Sequence, residues 1–515
     1  MLFLLLQIAV APDPAGRPVL GPAIEKAPDG ATLTLAPGVY RETVTIARTL
    51  HVKGVEGAVL DPSEPLRAAW VPAPEVGPGV HKFDSKEKPR VLLLDGRIVA
   101  EVDPRRAAAE GPWFWKTLLA SGPPLGGWKE IRALWTYVGK TAYVRVGGEE
   151  NPAGRTWTVT WSAEPVVTIR DAAGATLRNV TIRGGFSGVS LSGGKDCVVS
   201  GCAIGSYDRT GISVSGGASG VRIEGNRITR GSVENWSPVG ASKPNYEIWK
   251  IHKSVGYYDR AGIRLFRAGA GTLVKGNHLF ETFDGISLGD HAVESLDIPL
   301  KSPEDGRGTE ISDNLIERTR DSGIELGAGC VDVKVHHNVL RRTHGGLRFK
   351  LPRIGPVFIY RNLLEDGQFF NFWFSMDDSP AEGYVYHNTV VGGGPALLYS
   401  SLVGPSHGIG APRWRFYNNL FMSKGYFADH RTGMPVNFTS EHNVVVGGGR
   451  PGTPEPGTRY VDDAGPLDEK RRPLPGSPAV DAGRDLSRAF RDGPLPDVEK
   501  LRGAAPDAGA HEAVD

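Results

Sequence analysis

Apolar residues along most of this chain alternate with polar ones at a period of two, in runs of only three to five residues bounded by Gly, Asn and Asp. Alternation of this kind predicts short, half-buried β-strands, and the punctuation predicts a turn after almost every one. From about residue 175 to 445 the pattern becomes a phrase: Asn, alternating apolar residues, a polar turn, then Gly-apolar-x-apolar. It reads Asn179-Val-Thr-Ile182 with Gly188-Val-Ser-Leu191, Asn314-Leu-Ile-Glu317 with Gly323-Ile-Glu-Leu326, and Asn338-Val-Leu-Arg341 with Gly346-Leu-Arg-Phe349. Further copies start at Asn226, Asn277, Asn362, Asn388, Asn419 and Asn443, and between Asn314, Asn338 and Asn362 the spacing is 24 residues. A phrase repeated in one direction describes successive rungs of a coil whose strands stack into parallel sheets. Stacked rungs would place the recurring Asn in one column, where side-chain amides can bond up and down. The expectation is an all-β fold, a right-handed parallel β-helix, with handedness set by the parallel-connection rule.

Residues 62–163 break the rung pattern and carry Trp70, Trp113, Trp115, Trp128, Trp135, Trp157 and Trp161. Their strand-like runs Val91-Leu-Leu-Leu94 and Ala142-Tyr-Val-Arg-Val146 predict a small inserted antiparallel module, its tryptophans forming its core or offering planes for sugar rings. The chain therefore reads as a leader over 1–11, a cap and first rungs over 12–61, the insert over 62–163, the main helix over 164–450 and an extended tail over 451–515. The leader reading rests on a short apolar stretch ending in Ala9-Val10-Ala11; a buried first strand is the alternative. Two further interruptions, 231–259 and 289–307, would place loops on one face of the coil.

Composition narrows the function. Among 515 residues, 59 Lys and Arg balance 58 Asp and Glu, which argues against a nucleic-acid partner and a polybasic membrane surface. No segment is apolar for long enough to span a bilayer. Cys197, Cys202 and Cys330 form neither a disulfide framework nor a zinc motif.

The sequence resembles the pectin-lyase-like right-handed β-helix superfamily over residues 18–60 and about 165–515. The resemblance rests on Gly38-Val-Tyr-Arg-Glu42 in the opening rung, and on Gly476-Ser-Pro-Ala-Val-Asp-Ala-Gly483 and Asp507-Ala-Gly-Ala-His-Glu512 near the end. It implies a secreted or periplasmic, bacterial-type protein acting on a polysaccharide or oligosaccharide. The arginine-proline signature of pectate lyases is absent, and Phe283-Asp-Gly285 with Leu347-Arg-Phe-Lys350 only echoes the polygalacturonase set.

Aligning rungs on the glycine places the residue between the two following apolar positions on the outer face. That column reads Ser190, Ser213, Arg264, Ser287, Glu325, Arg348 and, with Asn371 in the glycine position, Trp373. Two residues before the glycine a second column reads Arg209, Arg260, Phe283, Asp321 and His344. One patch would then hold Asp284, Asp321 and Glu325 as candidate catalytic groups, with Arg260, Arg264, His344, Arg348, Lys350 and Trp373 binding substrate. Glycoside hydrolysis, led by Asp284 and Asp321, needs two carboxyl groups and no cofactor. Elimination on a uronic-acid polymer would need a base and cationic neutralisation of the substrate carboxylate, roles Lys350, Arg348 and Arg264 could serve, or calcium held by Asp321 and Glu325. A non-catalytic glycan-binding or structural β-helix is the third reading.

Overall fold

A computed structural model gives the architecture and describes residues 6–101, 133–147, 150–231, 260–289, 306–350, 354–374, 381–399, 413–429, 438–447, 455–490, 494–497 and 505–511. The chain divides into two compact units, one of residues 1–264 and 278–285, the other of 265–277 and 286–515.

In the first unit three parallel sheets wind around one apolar core. One runs Gln7–Val10, Thr32–Leu35, His51–Gly54, Thr176–Arg178, Val198–Ser200 and Arg222–Glu224. The second runs Val44–Ile46, Pro165–Arg170, Ser187–Ser192 and Ile212–Ser215, and the third includes Gly38–Tyr40, Ala58–Leu60, Ala203–Gly205 and Arg227–Thr229. Every neighbouring pair is parallel and in register, Leu177 beside Val199 and Val199 beside Ile223, so identical apolar positions stack into the core. Gln7–Val10, read from sequence as part of a leader, pairs with Thr32–Leu35, and the Tyr40 hydroxyl donates to the Val10 carbonyl. A seven-residue helix, Leu20–Lys26, covers the start of the coil. Its first backbone amides are satisfied by the carboxylate of Glu42, which accepts from Val19, Leu20 and Gly21 at 2.8, 2.9 and 2.8 Å.

The insert leaves the coil after Ala58–Leu60 and returns at Pro165–Arg170. It holds a four-stranded antiparallel sheet and a five-stranded one that is antiparallel except where Ala100–Glu101 meets Ala133–Val138. Trp135 and Trp157 are core residues of this module and Trp70 packs against them, whereas Trp161 lies half-buried at its edge. Trp113, Trp115 and Trp128 lie outside the described residues.

The second unit has the same kind of architecture. Its middle sheet runs Ile286–Leu288, Ser322–Leu326, Gly345–Phe349, Phe370–Phe374, Leu397–Tyr399 and Phe427–Asp429. Its turn column is an asparagine ladder of Asn277, Asn314, Asn338, Asn362, Asn388, Asn419 and Asn443. From Asn277 to Asn419 each amide nitrogen donates to the next asparagine's side-chain oxygen at 2.9–3.0 Å, and each backbone N–H donates to that same oxygen. The column expected from sequence is therefore present, with one correction. In the first unit Asn226 holds the ladder position and accepts from the Cys202 N–H, but Asn179 sits one residue earlier, at the left-handed turn position with φ 54°. Asp313, His337, Arg361, His387, Asn418 and His442 hold the equivalent position, all with φ between 51° and 56°. The described parts of the tail fold back on this unit: Leu486, Phe490 and Leu495 pack on Phe358, Tyr384 and Tyr386.

Candidate functional site

Gly323 and Gly346 open their face strands where no side chain fits. A Cβ on Gly346 would stand 2.3 Å from the Asn371 carbonyl oxygen and 2.7 Å from Leu364, and one on Gly323 would stand 2.7 Å from Leu340. This close approach locks the register, and the register makes the column. In the second unit Ser287 pairs with Glu325, Glu325 with Arg348, and Arg348 with Trp373.

The column was expected to stand in solvent. In the first unit Ser190 and Ser213 pair in register and are partly exposed, but Ser287, Glu325 and Arg348 are buried, at 6%, 6% and 7% exposure. Charges removed from water need partners. Among the described residues, Glu325 meets Arg348 Nη1 at 3.5 Å, Lys350 Nζ at 3.7 Å, and the Ser322 hydroxyl, which donates at 3.3 Å. The Arg348 guanidinium lies 4.0 Å from the centre of the Trp373 ring, a cation–π contact, and Trp373 is half-buried. One carboxylate, two cations and an aromatic plane thus meet on three successive rungs.

His344 is buried and stacks on Phe369, ring centres 5.5 Å apart, with Phe370 edge-on at 6.5 Å. Burial, reinforced by the positive charges of Arg348 and Arg320, pushes its imidazole down to about 3, so it is neutral at ordinary pH. Asp321 is buried at 5% exposure and begins the same face strand, its backbone carbonyl taking hydrogen bonds from the Thr319 hydroxyl and the Gly345 amide.

The remaining candidates belong to the first unit. Asp284 is buried, and its carbonyl accepts from the Gly262 amide. Arg264 is half-buried on the face strand Ile263–Leu265. Arg260 is 4% exposed and pairs at 2.8 Å with Asp208, which also lies 3.5 Å from the fully buried Arg230. Asp208 and Arg230 were not singled out from sequence, because neither stands at the glycine-aligned positions that defined the two columns. Glu101, from the inserted module, has its carboxyl raised by burial, an effect opposed by Lys88. Asp290, His291, Glu294 and Asp297, and all but the ends of the loops 231–259 and 289–307, lie outside the described residues. Among the described residues no three His, Cys, Asp or Glu side chains converge as a metal site would require.

Residues 166–349 match the family described as the right-handed β-helix region. The fold is the right-handed parallel β-helix. Solved structures similar to this chain are of low identity. The structure of XylC in complex with xylose is 15% identical with a TM-score of 0.51, over 90% of this chain and 88% of that one. Pectate lyase Pel9A is 13% identical with a TM-score of 0.45, over 99% and 96%. The endo-xylogalacturonan hydrolase from Aspergillus tubingensis is 8% identical with a TM-score of 0.36, over 84% and 95%. These neighbours are named as polysaccharide-active or sugar-bound proteins, and the resemblance to pectin-lyase-like proteins stands at the level of the fold. No curated protein matches the chain. Among the described residues no helix is long and apolar enough to cross a membrane.

Proposed function

We propose that this β-helix is a secreted or periplasmic enzyme that cleaves an acidic polysaccharide, with its chemistry on the face column of the second unit. The observation that carries the reading is the contact of Glu325 with Arg348 and Lys350, and of Arg348 with the Trp373 ring. An indole plane suits a sugar ring, and a guanidinium suits the carboxylate of a uronate.

This arrangement favours β-elimination. Arg348 neutralises the uronate carboxylate, which makes the proton on C5 easier to remove. Lys350 is the candidate base for that proton; as the proton leaves C5 the bond from C4 to the glycosidic oxygen breaks, and a C4–C5 double bond forms. The departing oxygen takes a proton, and Glu325 holds Arg348 and Lys350 in place. Hydrolysis is the second reading, and Asp321 in the second unit is buried, at 5% exposure. Within the second unit Asp321 and Glu325 are four residues apart on one strand, roughly 13 Å by strand rise, too far for a catalytic pair.

The test is reducing-end release from a panel of neutral and uronic-acid polysaccharides, with ultraviolet absorbance followed in the same wells. New ends accompanied by the absorbance of a 4,5-unsaturated uronate support elimination. New ends without it support hydrolysis, with Asp284→Asn and Asp321→Asn each tested as separate variants. Silence across the panel leaves a glycan-binding or structural β-helix.

A further inference from the structure

The inserted module carries a cleft that the face column does not use. It measures about 470 Å³, within the range of small-molecule sites, and is lined by Glu64, Leu66, Arg67, Phe83, Asp84 and Trp161 among others. Its floor is apolar: Phe83 and Val159 are buried core residues of the module, while Leu66 and Trp161 are half-buried above them. Its rim is charged: Glu64, Arg67 and Asp84 are exposed.

Two hydrogen bonds set the geometry of this cleft. Trp161 Nε1 donates to Glu64 Oε1 at 2.7 Å, which fixes the indole against the neighbouring strand. The Thr141 hydroxyl donates to Asp84 Oδ1 at 2.7 Å, which fixes the second carboxylate. Each carboxylate keeps an oxygen with accepting capacity, and Arg67 brings a fork of N–H donors to the same rim. An immobilised aromatic plane beside two acceptors and a planar donor matches the two aspects of a pyranose, an apolar C–H face and a girdle of hydroxyls.

We infer that this cleft on the inserted module binds neutral sugar residues of a polysaccharide. The charge balance decides the class. Two carboxylates against one guanidinium repel a uronate and accept hydrogen bonds from neutral hydroxyls. The site is separate from the proposed cleavage centre and stands or falls on binding alone.

The full-length protein is run on native gels containing arabinoxylan, glucomannan or mixed-linkage β-glucan, with polygalacturonate as the acidic control. The expected result is retardation by at least one neutral polymer. Trp161→Ala weakens that affinity about tenfold by removing the apolar plane. Glu64→Gln and Arg67→Ala, both on the exposed rim, weaken it about threefold each. Cleavage of short soluble oligosaccharides is unchanged in all three variants. Should Trp161→Ala fold poorly, the two rim variants carry the test. No retardation by any neutral polymer overturns the inference, as does retardation that all three variants share equally with the wild type. Retardation confined to polygalacturonate overturns it too, while leaving the cleavage reading intact.

Discussion

Two columns of the second unit are generated by the same rung-to-rung translation and differ in everything else. In the turn column one residue type repeats, from Asn277 to Asn443, and each copy makes the same bonds to the next. In the face column no residue repeats: Ser287, Glu325, Arg348 and Trp373 follow one another in register. Repetition along a solenoid is what nearest-neighbour stability demands. A column that abandons repetition, and buries unlike charges in doing so, is not explained by stability, because a buried ion pair is weak evidence for it. The contrast separates architecture from chemistry within a single unit.

The sharpest way to break this contrast is to exchange the consequences. Asn338→Ala removes the acceptor for the Asn314 N–H groups and the donor to the Ile311 carbonyl. It is expected to lower unfolding free energy by about 3 kcal/mol in denaturant titration, while the folded fraction keeps its specific activity. Glu325→Gln should do the reverse, cutting kcat/KM about a hundredfold with a far smaller shift in the denaturation midpoint. If Asn338→Ala abolished activity in folded protein, or Glu325→Gln left it intact, the division of labour would be wrong.

Acid sharpens the comparison next, because each column has a buried histidine beside it. His344 near the face and His387 near the turn are both held at about 3, in each case chiefly by burial, against an ordinary value of 6.5. Between those values the unfolded chain binds protons that the folded chain does not. Stability is therefore complete above about pH 6.5 and falls as pH drops below it, by about one kcal/mol per pH unit for each histidine. His344→Asn should halve the contribution of this pair to the slope, read from denaturation midpoints between pH 4 and 7.

Smaller effects follow along the face. Trp373→Ala removes the ring under Arg348 and should raise KM about threefold to tenfold, with Trp373→Phe recovering part of it. Ser190→Ala and Ser213→Ala, in the partly exposed early column, should change stability by less than about 0.5 kcal/mol and leave activity alone.

The rungs were legible in the sequence because period-two alternation and turn chemistry are local signals. The asparagine column was legible because its residues recur at rung spacing. Asn179 was misplaced by one position because asparagine also tolerates the left-handed turn, where it now sits with φ 54°. Which residues share the face column followed from the glycine alignment, and Glu325, Arg348 and Trp373 do pair in that register. Their burial was not legible. Exposure depends on chain segments that obey no rung period, so the column read as a solvated face. The cluster of Asp208, Arg230 and Arg260 also escaped: three residue types that ordinarily lie on the surface are buried here and paired with one another.

The asparagine ladder also bears on chemical ageing. Asparagine degrades when the backbone nitrogen of the next residue attacks its side-chain carbonyl, which requires that nitrogen to be free to move. Here the nitrogens after Asn314, Asn338, Asn362, Asn388 and Asn419 donate to the carbonyls of Asn277, Asn314, Asn338, Asn362 and Asn388. The carbonyl oxygens under threat are themselves occupied by two N–H donors from the preceding rung. Nucleophile and target are both restrained by the stacking that uses them, so the residue type most prone to spontaneous decay is stored in the place where it decays least.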